Sequence, residues 1–127
     1  MTTPEAQVAL AEHIDELGPI AYLVTVGAEG RPHVVAVRVD WSGGELMITA
    51  GRHSSANVAD QPGVSLVWAA PQGNGYCLIV DGVARLLSAP SPAGLAVEPT
   101  RAVLHRTPEG DPSAPSCITV LPAPLAS

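Results

Sequence analysis

HVVAVRVDWSGGELMITAGRHSSANVADQPGVSLVW, residues 33–68, decides how the rest of the chain is read. Two apolar runs, His33 to Trp41 and Glu45 to Ala50, flank Ser42-Gly43-Gly44; a third, Val64 to Ala69, follows the polar segment Arg52 to Pro62. The first two runs are rich in β-branched residues, and two glycines between them suit a tight reversal, so the pattern predicts an antiparallel hairpin and then another strand. Ser54 to Asp60 carries no strand pattern. One or two helical turns are expected there, capped by Ser54 or Ser55 and stopped before Pro62.

Outward from this stretch the reading continues in both directions. IAYLVTV, Ile20 to Val26, is β-branched and aromatic, and Ala28-Glu29-Gly30-Arg31 offers a turn into the His33 strand. Further upstream, Thr3-Pro4-Glu5 supplies a hydroxyl N-cap, a proline for the first helical position and an acid for the first turn. Val8, Leu10, Ala11, Ile14 and Leu17 form a helical apolar face ended by Gly18-Pro19, so a helix is predicted from Pro4 to Leu17. Downstream, the loop PQGNG (Pro71 to Gly75) leads to a fifth strand, Tyr76 to Leu87, bent near Gly82. Thr100 to His105 and Cys117 to Leu121 are further candidate strands, with a loop from Thr107 to Ser116. A succession of short antiparallel strands behind one helix predicts a mainly β fold. The expectation is a six- to seven-stranded antiparallel split barrel with an N-terminal helix and a short helix after the third strand. Barrel closure removes the edges that such apolar strands would otherwise expose.

Length and composition bound the function. A chain of 127 residues is read as a single domain able to bury a core unaided. Its apolar runs are too short to span a bilayer, and no membrane association is expected. All six cationic side chains are Arg, and the formal net charge is −6 with no basic cluster, which argues against nucleic acid as a partner. MTTPEAQVALAEH lacks the basic flank and apolar core of a secretion signal, so a cytoplasmic protein is expected. Cys77 and Cys117 do not form a CxxC pair; Cys77, within GYCLIV, reads as a buried inert thiol, and no disulfide is implied.

YLVTVGAEGRPHVVAV, then WSGGELMITAGRHSSANVADQPGVSLVW, then YCLIVDGVARL, resembles in order the split β-barrel flavoproteins related to pyridoxamine 5′-phosphate oxidase, in particular actinobacterial flavin and deazaflavin oxidoreductases. The match covers about half of the chain. The resemblance implies a homodimer that holds FMN or the deazaflavin coenzyme F420 in a groove between subunits, and a small organic molecule as substrate. In that family an Arg and, five residues on, a Lys of the second strand fall on His33 and Arg38 of this sequence. The phosphate-gripping Ser-Arg-Lys run falls on Arg52-His53-Ser54, where its Lys is missing.

Read for their chemistry, Arg52, His53, Ser54 and Ser55 place four donor-bearing side chains in a row, with Asn57 one turn on. A helix starting there would add backbone N–H groups suited to a phosphate. Their bland reading is a polar loop whose serines cap a helix. Arg38 assists the phosphate or pairs with an acid such as Asp40. Val35 to Val37 and Ile48 to Ala50, hence Val35, Val37, Thr49 and Ala50, are expected to line the cofactor ring through their backbone. Trp41 and Trp68 could wall a planar ring, although core positions suit them better. His33, His53 and His105 lack the spacing of a metal site, GxSxG is absent, and Gly27-Ala28-Glu29-Gly30 is not a dinucleotide fingerprint. Three readings therefore stand: a flavin- or deazaflavin-dependent oxidoreductase, a carrier or sensor that binds a cofactor or small molecule without turnover, and a dimerising barrel with no cofactor.

Overall fold

The computed structural model describes residues 3–71, 75–88, 94–109 and 113–121. Its elements are α1 (Pro4–Leu17), β1 (Ile20–Val26), β2 (Pro32–Ser42), β3 (Glu45–Thr49), α2 (Arg52–Asp60), β4 (Gly63–Trp68), β5 (Cys77–Leu86), β6 (Gly94–His105) and β7 (Cys117–Leu121). Neighbouring strands pair in the order β3-β2-β1-β4-β5-β6-β7, and β3 also pairs with β6, closing six antiparallel strands into a barrel. The predicted fold class is the one observed. β6 explains why the barrel is split: along one side its start, Gly94 to Val97, pairs with β3, whereas Ala102 to His105 pair with β7.

Alternation along the strands creates the core. Leu23 on β1, Leu46 on β3, Leu66 on β4, Leu78 and Val80 on β5, and Leu95 and Val97 on β6 are all fully buried inside the barrel. They lie on the inward face that a period of two dictates. α1 starts as its sequence predicts: the Thr3 hydroxyl accepts from the Ala6 N–H at 3.1 Å, and Pro4 occupies the first turn. It ends at Gly18, whose φ of 94° is open to glycine and whose N–H donates to the Ile14 carbonyl. Leu10 and Ile14, one turn apart, carry its buried face, and the helix packs against β7. Trp68 is a core residue whose indole N–H donates to the Gly18 carbonyl at 3.0 Å, tying β4 to the end of α1.

Three expectations change. β6 begins at Gly94, not Thr100, and runs through Pro99. A proline can sit there because Pro99 faces Gly82 where the β5–β6 register shifts, and a bulge spares it the ladder donor it lacks. The expected bend at Gly82 is thus present, and its glycine is required by space: a Cβ would lie 2.5 Å from the Glu98 carbonyl oxygen. α2 starts at Arg52 with Gly51 as its N-cap and no side-chain cap, so neither Ser54 nor Ser55 caps it. Cys77 is half-buried rather than buried, and both cysteines are free. Gln72 to Asn74 of the predicted PQGNG loop, and residues 110–112 of the predicted 107–116 loop, lie outside the described residues.

Candidate functional site

α2 lies beside β1 and β5, and two side-chain bonds fix its position. Asn57 Nδ2 donates to Thr25 Oγ1 at 3.0 Å, and Gln61 Nε2 donates to the Gly27 carbonyl at 3.0 Å. Thr25 is buried beneath it, and Val58 is one of the helix's own buried side chains. These contacts settle where the helix begins. Its first backbone bond runs from the Ser55 N–H to the Gly51 carbonyl at 3.0 Å, so the N–H groups of Arg52, His53 and Ser54 precede the helical ladder with no side chain capping them.

Those residues line one wall of a concavity of about 250 Å³. Gly51, Arg52, His53 and Ser54 face His33, Val35, Ala36 and Val37 of β2, with Thr49 at the end of β3. No carboxylate lines it. The His33 and His53 rings are 5.9 Å apart between centroids and inclined by 49°. His33 Nδ1 and Ser55 Oγ are both buried without a hydrogen-bond partner, a condition that costs about 1–3 kcal/mol per group when nothing compensates it.

Of the residues singled out in the sequence, seven therefore meet: His33, Val35, Val37, Thr49, Arg52, His53 and Ser54. Ala50 is buried in the core between β3 and α2. Ser55 sits in the first turn of α2 but outside the lining. Asn57 donates to Thr25 and stands outside the lining. Arg38 is exposed, alternates with the buried Val37 and Val39, and stands outside the concavity. Gly51 escaped the sequence reading, although a glycine just ahead of Arg52 is an acceptable N-cap and was a usable signal.

An anionic group suits this donor set. Unpaired N–H groups at a helix start, an exposed guanidinium, a hydroxyl and two imidazoles converge without a competing acid. A whole flavin does not suit the space, because pockets that enclose ligands of that size run to about 300–1,000 Å³. The site is the right size for one end of such a molecule. Among the described residues no group of three or more His, Cys, Asp or Glu could hold a metal ion, and no helix is long and apolar enough to cross a membrane.

No family model matches the chain. An uncharacterized protein of Mycobacterium bovis is 34% identical over 115 residues, covering 79% of this chain and 81% of that protein. The chain belongs to its family. Among solved structures, a Listeria innocua protein described as a putative pyridoxamine 5′-phosphate oxidase superposes with a TM-score of 0.66 at 15% identity, covering 81% of this chain and all of that one. An F420 reductase gives 0.55 at 22% identity, over 66% of this chain and 89% of that one. A heme-binding protein from Mycobacterium smegmatis gives 0.65 at 17% identity, over 94% of this chain and 60% of that one. The fold is the pyridoxamine 5′-phosphate oxidase-like split barrel. The three are described as a putative pyridoxamine 5′-phosphate oxidase, an F420 reductase and a heme-binding protein, so the shared fold chooses no cofactor.

Proposed function

We propose that this split barrel is a homodimeric oxidoreductase that holds FMN or coenzyme F420 and transfers hydride to or from a small organic molecule. One observation carries the reading: the start of α2, with no side-chain cap and with Arg52, His53 and Ser54, faces Val35 and Val37 of β2 across one concavity. That is the division a phosphorylated, ring-bearing cofactor needs. When bound, the ring supplies the hydride chemistry. The chain's own residues have the simpler tasks of gripping the phosphate, lining one side of the ring and excluding water.

Support for the dimer comes from the outside of the barrel. Val24 pairs with Val34 and Tyr22 with Ala36, while Tyr22 also pairs with Val67 of β4, giving an apolar band over three strands. Tyr22 is 47% and Val34 57% exposed, so the band leaves large apolar side chains open to solvent. A second copy over this band, next to the start of β2, supplies the walls that the concavity lacks.

The test is a fluorescence titration of the purified protein with FMN, with riboflavin, which lacks the phosphate, and with F420. The expected result is micromolar or tighter binding of FMN or F420. If FMN is the ligand, riboflavin binds at least about tenfold more weakly, and Arg52→Ala loses a similar factor, about 1.4 kcal/mol. Retention of affinity within about threefold in Arg52→Ala would remove the proposed phosphate site. A second reading, a carrier without turnover, is favoured by the imidazole pair His33 and His53, because imidazole is a common haem ligand. Haem titration followed by absorbance, with His33→Ala and His53→Ala, separates the two.

A further inference from the structure

We infer that the trough between α1 and Trp41, remote from the α2 concavity, is a docking groove for a basic amphipathic segment of another protein. Its floor is apolar: Val8 and Ala11 of α1 with Trp41 of β2. The rim is acidic, with Glu12 and Asp15 along α1 and Asp40 beside Trp41. The main hollow measures about 570 Å³. It continues through Ala11, Asp15 and Trp41 into a second of about 350 Å³. Val8, at 58% exposure, is a large apolar side chain left open at its centre.

Charge chooses the occupant. No cationic side chain lines either hollow, and none of Glu12, Asp15 and Asp40 is ion-paired among the described residues, whose two salt bridges are Arg85–Glu45 and Arg101–Asp81. A second copy of the chain is disfavoured, since two acidic rims would be brought together at a net charge of −6 each. Residues 122–127, Pro-Ala-Pro-Leu-Ala-Ser, bring no cationic side chain to the groove. A partner carrying aliphatic side chains on one face and Arg or Lys beside them meets both requirements, and an Arg can stack on the Trp41 ring while pairing with Asp15 or Asp40. Shape agrees with an elongated guest. From Pro4 to Asp15 the trough follows α1 for about 16 Å, about three helical turns, and is open to solvent throughout. This is the dimension of a helix laid in a groove.

The protein carries its own reporter. Trp68 is 1% exposed and Trp41 is only partly buried, so a ligand-induced change in tryptophan emission reports mainly on the groove. The full chain is titrated with a synthetic amphipathic peptide bearing Leu at helical spacing and flanking Arg, and with the same peptide carrying Glu for Arg. Saturable binding of the Arg peptide, weaker by at least about tenfold for the Glu peptide, is expected. Glu12→Arg with Asp15→Arg lowers affinity by at least about tenfold, whereas Glu29→Arg with Asp60→Arg, an equal change of net charge at exposed positions elsewhere, leaves it within about threefold. Thermal unfolding confirms that both variants are folded. Equal losses in the two double variants would reduce the effect to net charge and overturn the assignment. So would undiminished binding after reversal of Glu12 and Asp15, or a change in oligomeric state caused by that reversal alone.

Discussion

Asn57 illustrates what a single side chain contributes to the placing of the candidate site. By sequence it stands in a row of donors and reads as one more phosphate ligand. In the fold its amide donates to Thr25, 32 residues away, whose side chain is fully buried. No local pattern reveals such a partner, because the distance between them is closed only when α2 lands on β1. Asn57→Ala leaves the Thr25 hydroxyl without its partner and is expected to cost about 1–3 kcal/mol. Because α2 then loses its side-chain tie to β1, cofactor affinity should fall as well. A urea titration reads the first effect as a lower midpoint at unchanged slope. Gly82 makes the opposite kind of demand, for space. Gly82→Ala forces a methyl group toward the Glu98 carbonyl at 2.5 Å, and a destabilisation of about 1–3 kcal/mol is expected. An alanine variant as stable as the parent would show that the β5–β6 bulge relaxes freely.

At the scale of elements, the sequence reveals what is local and hides what depends on a distant strand. α1 has the limits that Thr3-Pro4 and Gly18 imply, and β1 to β4 follow the alternation and the glycine turns. Both features are encoded within a few residues. The first half of β6 was not legible, since Pro99 interrupts the apolar run and only the bulge opposite Gly82 makes it admissible. The start of α2 was displaced for a related reason. Serine is a strong cap in isolation, but here Ser54 is needed inside, at 2% exposure, and Gly51 takes the cap instead. The described part of the connection after β6 is held by Arg106. Its guanidinium donates to the carbonyls of Thr107, Glu109, Ala114 and Pro115, and lies 5.9 Å from the Tyr76 ring centroid. Arg106→Lys should not restore this, because an ammonium lacks the planar fork that reaches several acceptors at once. Hydrogen exchange is expected to accelerate at Cys117 to Thr119 in both Arg106→Ala and Arg106→Lys, while β1 to β4 stay protected.

For the whole molecule, the question is how a barrel with a concavity of about 250 Å³ could manage a cofactor larger than that. The geometry leaves two routes: a rearrangement of the barrel, or a second chain. The interior is filled by fully buried leucines and valines from five of the six barrel strands, and emptying it would forfeit about 1.5–3 kcal/mol for each such side chain exposed. A second chain requires nothing of the core. It needs an apolar outer face, and Tyr22 and Val34, 47% and 57% exposed, with Val24, Ala36 and Val67 paired beside them, provide one across β1, β2 and β4. Covering about 800 Å² per partner, the usual extent of a stable interface, would take roughly a tenth of the 7675 Å² surface. The proposed dimer is therefore physically coupled to the proposed cofactor site, and one pair of substitutions tests the coupling. Tyr22→Glu with Val34→Glu places two carboxylates on the outward face without entering the core, so circular dichroism should be unchanged. Light scattering should report a dimer for the parent and a monomer for the variant, and FMN or F420 affinity should fall by at least about tenfold with dimerisation. A monomeric variant that retains full cofactor affinity would place the whole ligand on one subunit and dissolve the link between assembly and binding.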